Sequence, residues 1–225
     1  ERLEDALAIA ALSSEPDILT TGAAKPRNCD LMARIDVLHD NRQIANADVN
    51  RPALHHVKRV MSQLRRIARS LSPDLMTKIC ASGQGLAALV MAGFPDRVGK
   101  KRAAGDGRYR LASGSGAQLS DVNLRKSDWI IAIALRPRRR GERSEHNEHI
   151  IDSALTLDPS LLPAQTEKVM FFHEESQAVV ARLRRHYMDL VISEHQTTAD
   201  DEPVKAAELL AYAVAKKPSQ HLRIA

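Results

Sequence analysis

Residues 92–117 read AGFPDRVGKKRAAGDGRYRLASGSGA, and the character of the sequence changes inside this stretch, at Pro95. Upstream of that proline, apolar residues recur at three- and four-residue steps, as they do in amphipathic helices. Downstream of it, glycines crowd together and β-branched runs follow at short intervals, as in strands joined by turns. The sequence therefore predicts an α+β protein in which helices come first and strands follow.

Four helices are expected before the proline. Residues 1–14 form the first, and Asp30 caps the second. The clearest helix follows Pro52, because one of its faces carries a sustained apolar stripe of Leu54, Val57, Met61, Leu64, Ala68 and Leu71. Residues 85–92, rich in Ala and Leu, form the fourth helix. Together these elements predict a helical bundle over residues 1–94.

Strand-like segments with turn signals between them follow the proline. They lie at residues 108–112, 129–135, 149–157, 168–173 and 178–193, and the last is either one strand or a strand bent into two. Short strands spaced in this way are typical of small closed barrels. We therefore predict an OB-like antiparallel β barrel over residues 95–196. A further helix opens at Asp201, and residues 197–225 are interpreted as the start of a C-terminal module.

The composition narrows the function class. The 225 residues carry a net charge of +5, and aromatic residues make up 3% of them. A positive charge balance favours polyanionic partners. The scarcity of aromatic side chains predicts that a nucleic acid would be held by its phosphates more than by base stacking.

The sequence also suggests in which cellular compartment the protein resides and whether the chain is a fragment. No apolar run approaches the roughly 20 residues needed to span a bilayer, so no membrane partner is expected. Cys29 and Cys80 are interpreted as buried free thiols in a reducing cytoplasm. The chain begins at Glu1, inside the first predicted helix and without an initiating Met, which we interpret as a fragment of a longer protein.

Two phrases in the deciding stretch, 92–102 and 107–117, resemble the signature of HrpB-type DEAH-box helicases. In that family, phrases such as A-[YF]-P-D-R-[IV]-A and G-R-Y-x-L-A-N-G-R-G-A join a helical bundle to an OB-like barrel. Ser113 and Ser115 stand where the family usually has Asn and Arg, which puts any contact of that Arg in question. Residues 10–17 resemble the accessory helical region, and residues 168–193 resemble the late barrel strands, whereas residues 136–150 match nothing in the family.

The resemblance implies that this chain is the accessory region of an ATP-dependent RNA or DNA helicase. Its partners would be single-stranded nucleic acid and helicase motor domains in cis, located upstream. ATP and Mg²⁺ would belong to the parent protein, because this sequence has no Gly-x4-Gly-Lys-Ser/Thr phosphate loop and no DEAH box. We therefore expect no cofactor and no catalytic residue in this chain. The alternative is a scaffold whose barrel and Arg-rich loop dock partner proteins.

Seven cations are the candidate nucleic-acid contacts. Lys58, Arg65 and Arg69 lie off the apolar stripe of the helix after Pro52, where they could follow phosphates or form an ordinary solvated face. Lys100, Lys101, Arg108 and Arg110 lie in or before the first predicted strand, where a barrel could use them as a basic groove. Tyr109 alternates with the arginines, so it is expected to point into the core.

For three other motifs we predict no functional site. Residues 136–147, with Arg136 and Arg138–Arg140, are read as a hairpin loop or a disordered insert. His146 and His149, accompanied by Glu145 and Glu148, are interpreted as surface residues, because a His-x-x-His spacing in a polar loop is not a helical zinc motif. Ser113 to Gly116 is interpreted as a turn, since no nucleophile-elbow pattern surrounds it.

Overall fold

The structure is a computed structural model, and it describes residues 2–20, 27–39, 49–70, 85–102, 106–138 and 148–216. The chain forms two compact units, residues 1–161 and 162–225. The predicted α+β class is confirmed, with helices first, a closed barrel after them and a helix near the C-terminal end. Whether residues 1–94, 95–196 and 197–225 are independent domains stays a prediction.

The first unit opens with four helices: α1 (Arg2–Ser14), α2 (Leu31–His39), α3 (Arg51–Ser70) and α4 (Leu86–Gly93). Asp30 caps α2 as expected, since its Oδ1 accepts a hydrogen bond from the Met32 backbone N–H at 2.9 Å. The apolar stripe of α3 packs against α1 and α2 in one core, formed by Ala8, Ala11, Ile18, Val37, Leu38, Ala53, Leu54, Val57 and Met61.

Five strands then close a barrel in the order β1, β2, β3, β5, β4. Their ranges are β1 (Val98–Lys101), β2 (Arg108–Leu111), β3 (Gly116–Leu119), β4 (Trp129–Arg136) and β5 (His149–Thr156). Neighbouring strands are antiparallel except β3 and β5, which run parallel. A closed ring with an odd number of strands must contain one parallel pair, so the barrel is mixed and not purely antiparallel.

Strands β1 and β3 were not predicted from the sequence. Each has four residues and contains a glycine, so neither shows the apolar alternation that identifies a longer strand. Tertiary packing explains the glycine at position 99 in β1. A Cβ there would lie 3.1 Å from Leu111 Cδ2 and 3.3 Å from Ile130 Cγ1. The glycine therefore lets the neighbouring strands bring their apolar side chains together inside the barrel.

A partly buried ion-pair network connects the helices of the first unit to its barrel. Arg34 is only 3% exposed, and its Nε and Nη2 lie 3.0 and 2.6 Å from the two carboxylate oxygens of Asp17. Arg27 Nη1 lies 2.8 Å from Asp152 Oδ1 on β5 and its Nη2 lies 3.8 Å from Asp17 Oδ2. Bidentate arginine pairs fix geometry, so this network holds α2 on the barrel.

The segment before α2 is also held by its backbone. The Cys29 N–H donates to Asp121 Oδ2 at 2.8 Å, and the Cys29 carbonyl accepts from the Ala154 N–H at 2.8 Å. The thiol is free and buried, as predicted, and its pKa is raised to about 11, chiefly because burial disfavours the charged thiolate. Cys80 lies outside the described residues.

The second unit is an antiparallel sheet of β6 (Gln165–His173), β7 (Ala178–Tyr187) and β8 (Leu190–Thr197), followed by α5 (Pro203–Lys216). The prediction that these strands belong to the barrel is wrong. The first five strands close their ring without them, and a closed ring has no free edge to extend. The segment predicted as one strand or two is a hairpin, which turns at Met188 with φ of 47°.

Within the described ranges, no helix combines the length and the apolar character that crossing a membrane requires.

Candidate nucleic-acid interface

Helix α3 presents an arginine-rich face to solvent. Its exposed arginines are Arg51, Arg59, Arg66 and Arg69, and we call them the α3 face. At about 100° per residue they lie within an arc of about 80°, opposite the buried stripe, and they span roughly 27 Å along the helix. A row of guanidinium groups of this length suits a phosphate backbone better than a single small anion.

Arg65 does not belong to the α3 face. Its Nε donates to Glu4 Oε1 at 2.8 Å, and its Nη2 donates to Glu4 Oε2 as well. The side-chain hydrogen bond from Arg65 is the main reason why the pKa of the Glu4 carboxyl lies below its usual value. Arg65 therefore joins α3 to α1, and Lys58 lies half-buried on the same flank. Of the three predicted residues on this helix, Arg69 lies on the exposed arc.

The sequence-based prediction for this helix named Lys58, Arg65 and Arg69, and it did not single out Arg51, Arg59 or Arg66 as contacts. A helical projection centred on the apolar stripe would have corrected this, because Leu54, Val57, Met61 and Ala68 define its buried direction. The Arg65–Glu4 pair could not have been found in this way, since its partners are 61 residues apart in sequence.

The barrel carries the second group of cations. Arg108 and Arg110 are exposed on β2, whereas Tyr109 and Leu111 between and after them are buried. Lys100 lies directly opposite Arg110, and its Nζ lies 5.5 Å from the centroid of the Trp129 ring. We call Lys100, Arg102, Arg108 and Arg110 the barrel wall, a name that covers three of the seven predicted residues and adds Arg102.

Lys101 is the exception on β1. Successive strand residues point to opposite faces, so Lys101 cannot share the face of Lys100. Its side chain is only 10% exposed, and its Nζ lies 3.6 Å from Asp128 Oδ1. Tyr109 points inward as predicted: its hydroxyl donates to the Ser127 carbonyl at 2.7 Å, and burial is the first cause that raises its pKa to about 12.

Two arginines of the barrel wall meet one buried carboxylate. Arg102 Nη1 lies 3.2 Å from Glu148 Oε1, and Arg108 Nε lies 4.0 Å from Glu148 Oε2. Glu148 is 4% exposed, whereas the two arginine side chains are 42% and 46% exposed. Arg108 Nε also lies 3.9 Å from Asp106 Oδ2. The sequence showed Glu148 only as a neighbour of two histidines in a polar segment, and it was given no role there.

The Arg-rich segment after β4 is described only at its two ends. Arg136 Nε lies 3.2 Å from Asp152 Oδ1, and Arg138 Nη2 donates to Gln118 Oε1 at 2.5 Å. Residues 139–147, with two of the predicted loop arginines and His146, lie outside the described residues. Among the residues that are described, no cluster of three metal-ligating side chains occurs.

The turn predicted at Ser113 to Gly116 is confirmed. It connects β2 to β3, Gly114 has a positive φ of 84°, and the two serine hydroxyls lie 2.9 Å apart. Because the Leu111 N–H donates to the Ser115 carbonyl at 2.8 Å, the serines belong to a tight hairpin connection. Their geometry is that of a turn.

The fold was compared with known proteins. Two crystal structures from Escherichia coli match, one described as the DExH-box NTPase HrpB and the other as the DEAH/RHA helicase HrpB. Both are 22% identical to this chain with a TM-score of 0.57, and they cover 93% and 95% of it. This chain has an HrpB-like fold. It spans 23% of the HrpB chain. No family model matches the sequence, and no curated protein matches it significantly.

The HrpB-like phrase of the sequence lies where the helices of the first unit meet the barrel. Arg97 Nη1 donates to the Ile133 carbonyl at 2.5 Å, and its guanidinium lies 4.9 Å from the centroid of the Phe94 ring. Gly107 has φ of 68°, and a Cβ there would lie 2.5 Å from the Leu119 carbonyl oxygen. These residues of the phrase therefore encode a junction and a turn. Lys100 and Arg102 between them, with Arg108 and Arg110 after the turn, form the barrel wall.

Proposed function

We propose that this chain is the C-terminal accessory region of an ATP-dependent DEAH-box helicase of the HrpB type. The observation that carries the proposal is the fold, which matches HrpB over 93–95% of this chain while spanning 23% of HrpB. The motor domains would lie upstream in the same polypeptide, with the ATP and Mg²⁺ that they use. The role of this region would be to bind single-stranded nucleic acid, RNA or DNA, for that motor.

The two arginine-rich surfaces of the first unit support the binding role. The α3 face supplies four exposed guanidinium groups, and the barrel wall supplies three arginines and a lysine. Both surfaces present positive charge to phosphate oxygens, and a planar guanidinium whose orientation is fixed can also donate two parallel hydrogen bonds. The scarcity of aromatic residues in the chain, 3%, argues for phosphate contacts over base stacking.

Salt dependence tests this proposal. We expect the purified chain to bind labelled single-stranded RNA or DNA, measured by fluorescence anisotropy. The logarithm of its affinity should fall linearly with the logarithm of salt concentration, by about 0.7 for each phosphate contact. Binding whose affinity is insensitive to salt would contradict a phosphate-based role, as would the absence of binding at low salt.

A matched control separates specific surfaces from net charge. Arg185→Glu combined with Lys205→Glu reverses two exposed cations of the second unit, which belong to neither the α3 face nor the barrel wall. This variant should keep most of the affinity. If it loses as much as a variant with two reversed cations on the α3 face, the attraction comes from net charge and not from the proposed surfaces.

One observation favours a protein-docking function, although on helix α5 and not on the barrel and Arg-rich loop that the sequence suggested. Helix α5 has no buried residue, and Val204 and Tyr212 on it are 71% and 68% exposed. Exposed apolar side chains of this kind are suited to a protein interface. The salt titration distinguishes the two functions, because an apolar interface does not weaken steeply as ionic strength rises.

A further inference from the structure

We infer that Glu148 organises Arg102 and Arg108 into a clamp for one phosphodiester group on the barrel wall. The inference deepens the proposed function and rests on it, since it assumes that the barrel wall meets a nucleic-acid strand. Glu148 would be a positioning residue that touches no ligand, and the two arginines would make the contact. The ligand class is the backbone phosphate of a single strand, recognised by its two non-bridging oxygens.

The position of Glu148 beneath the arginines supports this role. Its side chain is 4% exposed, so its charge is held away from water and from an approaching phosphate. Oε1 lies 3.2 Å from Arg102 Nη1, and Oε2 lies 4.0 Å from Arg108 Nε. Oε2 is buried and accepts no hydrogen bond from any described residue. The carboxylate thus faces both guanidinium groups without occupying all of their donors.

Gly116 provides the space in which the carboxylate lies. A Cβ at this position would lie 3.0 Å from Glu148 Cγ, 3.2 Å from Glu148 Oε1 and 3.5 Å from Arg102 Nη2. The antiparallel register of β2 and β3 places Gly116 opposite Arg110 and Gln118 opposite Arg108. The carboxylate and the Arg102 guanidinium therefore rest against the bare backbone of β3, next to β2, which carries Arg108 and Arg110.

Charge and geometry together indicate a ligand site. A buried carboxylate is strongly unfavourable without a cationic partner, and Arg102 alone provides that partner through its hydrogen bond. Arg108 brings a second positive charge to the same place, so Arg102, Arg108 and Glu148 together carry a net charge of +1. The exposed Asp106 carboxylate, whose Oδ2 lies 3.9 Å from Arg108 Nε, offsets part of this charge. Each guanidinium has five N–H donors, and side chains that are 42% and 46% exposed direct part of that capacity to solvent.

For the variant Glu148→Gln, the inference predicts a change in strand affinity opposite to the one that net charge alone would cause. Glu148→Gln keeps the shape of the side chain and removes one negative charge, so net attraction alone would make strand binding tighter. If Glu148 positions the arginines, the variant should instead bind single strands at least about fivefold more weakly, because both side chains must then be ordered by the ligand. Tighter or unchanged binding by the variant would overturn the inference.

Asp128→Asn is the matched control. It removes the same charge from the same barrel, but its side chain is 80% exposed and holds neither Arg102 nor Arg108. We expect its affinity to be equal to that of the natural chain or slightly higher. If Asp128→Asn weakens binding as much as Glu148→Gln does, position beneath the arginines has no special effect and the inference fails.

A second variant keeps the test valid if Glu148→Gln does not fold. Arg102→Lys combined with Arg108→Lys leaves Glu148 in place and preserves the net charge. Lysine lacks the planar fork, so affinity should fall about fivefold while the salt slope stays the same. Unchanged affinity would overturn the clamp. If the natural chain itself binds neither RNA nor DNA strands at low salt, the result contradicts the proposed function, independently of the clamp variants.

Discussion

The α3 face and the barrel wall carry four cations each, but the fold holds them in different ways. On the α3 face the guanidinium groups are exposed, and Arg59 Nη2 lies 2.7 Å from His56 Nδ1 on the same helix. Within the described residues none of the four lies in an ion pair with a carboxylate. On the barrel wall, Arg102 and Arg108 share a buried carboxylate, and Lys100 lies over an indole ring. One surface offers charge alone, and the other offers charge with fixed geometry.

The difference teaches how a chain with few aromatic residues could hold a flexible strand. Mobile arginines on a helix attract phosphates from a distance at little structural cost, because they need no particular orientation. Arginines fixed by a buried partner lose less freedom when they bind, so each of their contacts is worth more. The two surfaces should therefore respond differently to changes in charge and to changes in shape.

The largest expected effect comes from reversing charge on the α3 face. Arg66→Glu with Arg69→Glu should weaken single-strand binding about tenfold, since two exposed contacts at roughly 0.7 kcal/mol each are lost. The slope of log affinity against log salt should become shallower by about 1.4. Anisotropy titrations at several salt concentrations measure both quantities, with circular dichroism as the folding control. An unchanged slope in the folded variant would show that these arginines are solvated and do not contact phosphates.

A medium effect is expected for Arg65, which belongs to neither surface. Arg65→Gln removes the ion pair with Glu4 and should lower the free energy of unfolding by up to about 1 kcal/mol, because both side chains are about one-third exposed. Strand affinity should stay the same. Urea unfolding measures the stability, and a loss of binding without a loss of stability would show that Arg65 contacts the strand.

Acidification adds a check on the same pair. Arg65 lowers the pKa of Glu4, so the pair stabilises the fold fully above the ordinary value of 4.5 and loses this effect as pH falls through the lowered pKa. The stability difference between the natural chain and Arg65→Gln should therefore be constant near neutral pH and shrink in acid. A difference that persists in strong acid would point to lost packing of the arginine stem.

The smallest effect is expected for Arg-to-Lys replacements on the α3 face, and it gives the most direct comparison of this face with the barrel wall. Arg66→Lys with Arg69→Lys should leave affinity and salt slope unchanged, because the α3 face is proposed to act through charge alone. The same replacement on the barrel wall, at Arg102 and Arg108, is expected to weaken binding. Parallel titrations of the two lysine variants compare the surfaces directly. Equal effects on both would mean that the fold does not distinguish them.

Much of the fold was predictable because its signals are local. The apolar stripe of α3, the cap at Asp30 and the turn after β2 were all identified from neighbouring residues, and the structure confirms them. The barrel was predicted as a class, but β1 and β3 were missed and the strands from Gln165 onward were wrongly included in it. Whether a strand joins the barrel or another sheet depends on which strand edges remain unpaired in the folded chain, and a local sequence pattern does not show this.

The candidate site shows the same division. By itself, the sequence determined the order of helices and strands, the HrpB-like junction around Pro95 and the abundance of arginine on α3 and β2. Only the tertiary structure decided which cations are engaged, since Arg65 meets Glu4 across 61 positions and Arg102 meets Glu148 across 46. Periodicity places a side chain on a face of its own element. Its partner on another element is set by packing, because the folded chain brings together residues that no local pattern connects.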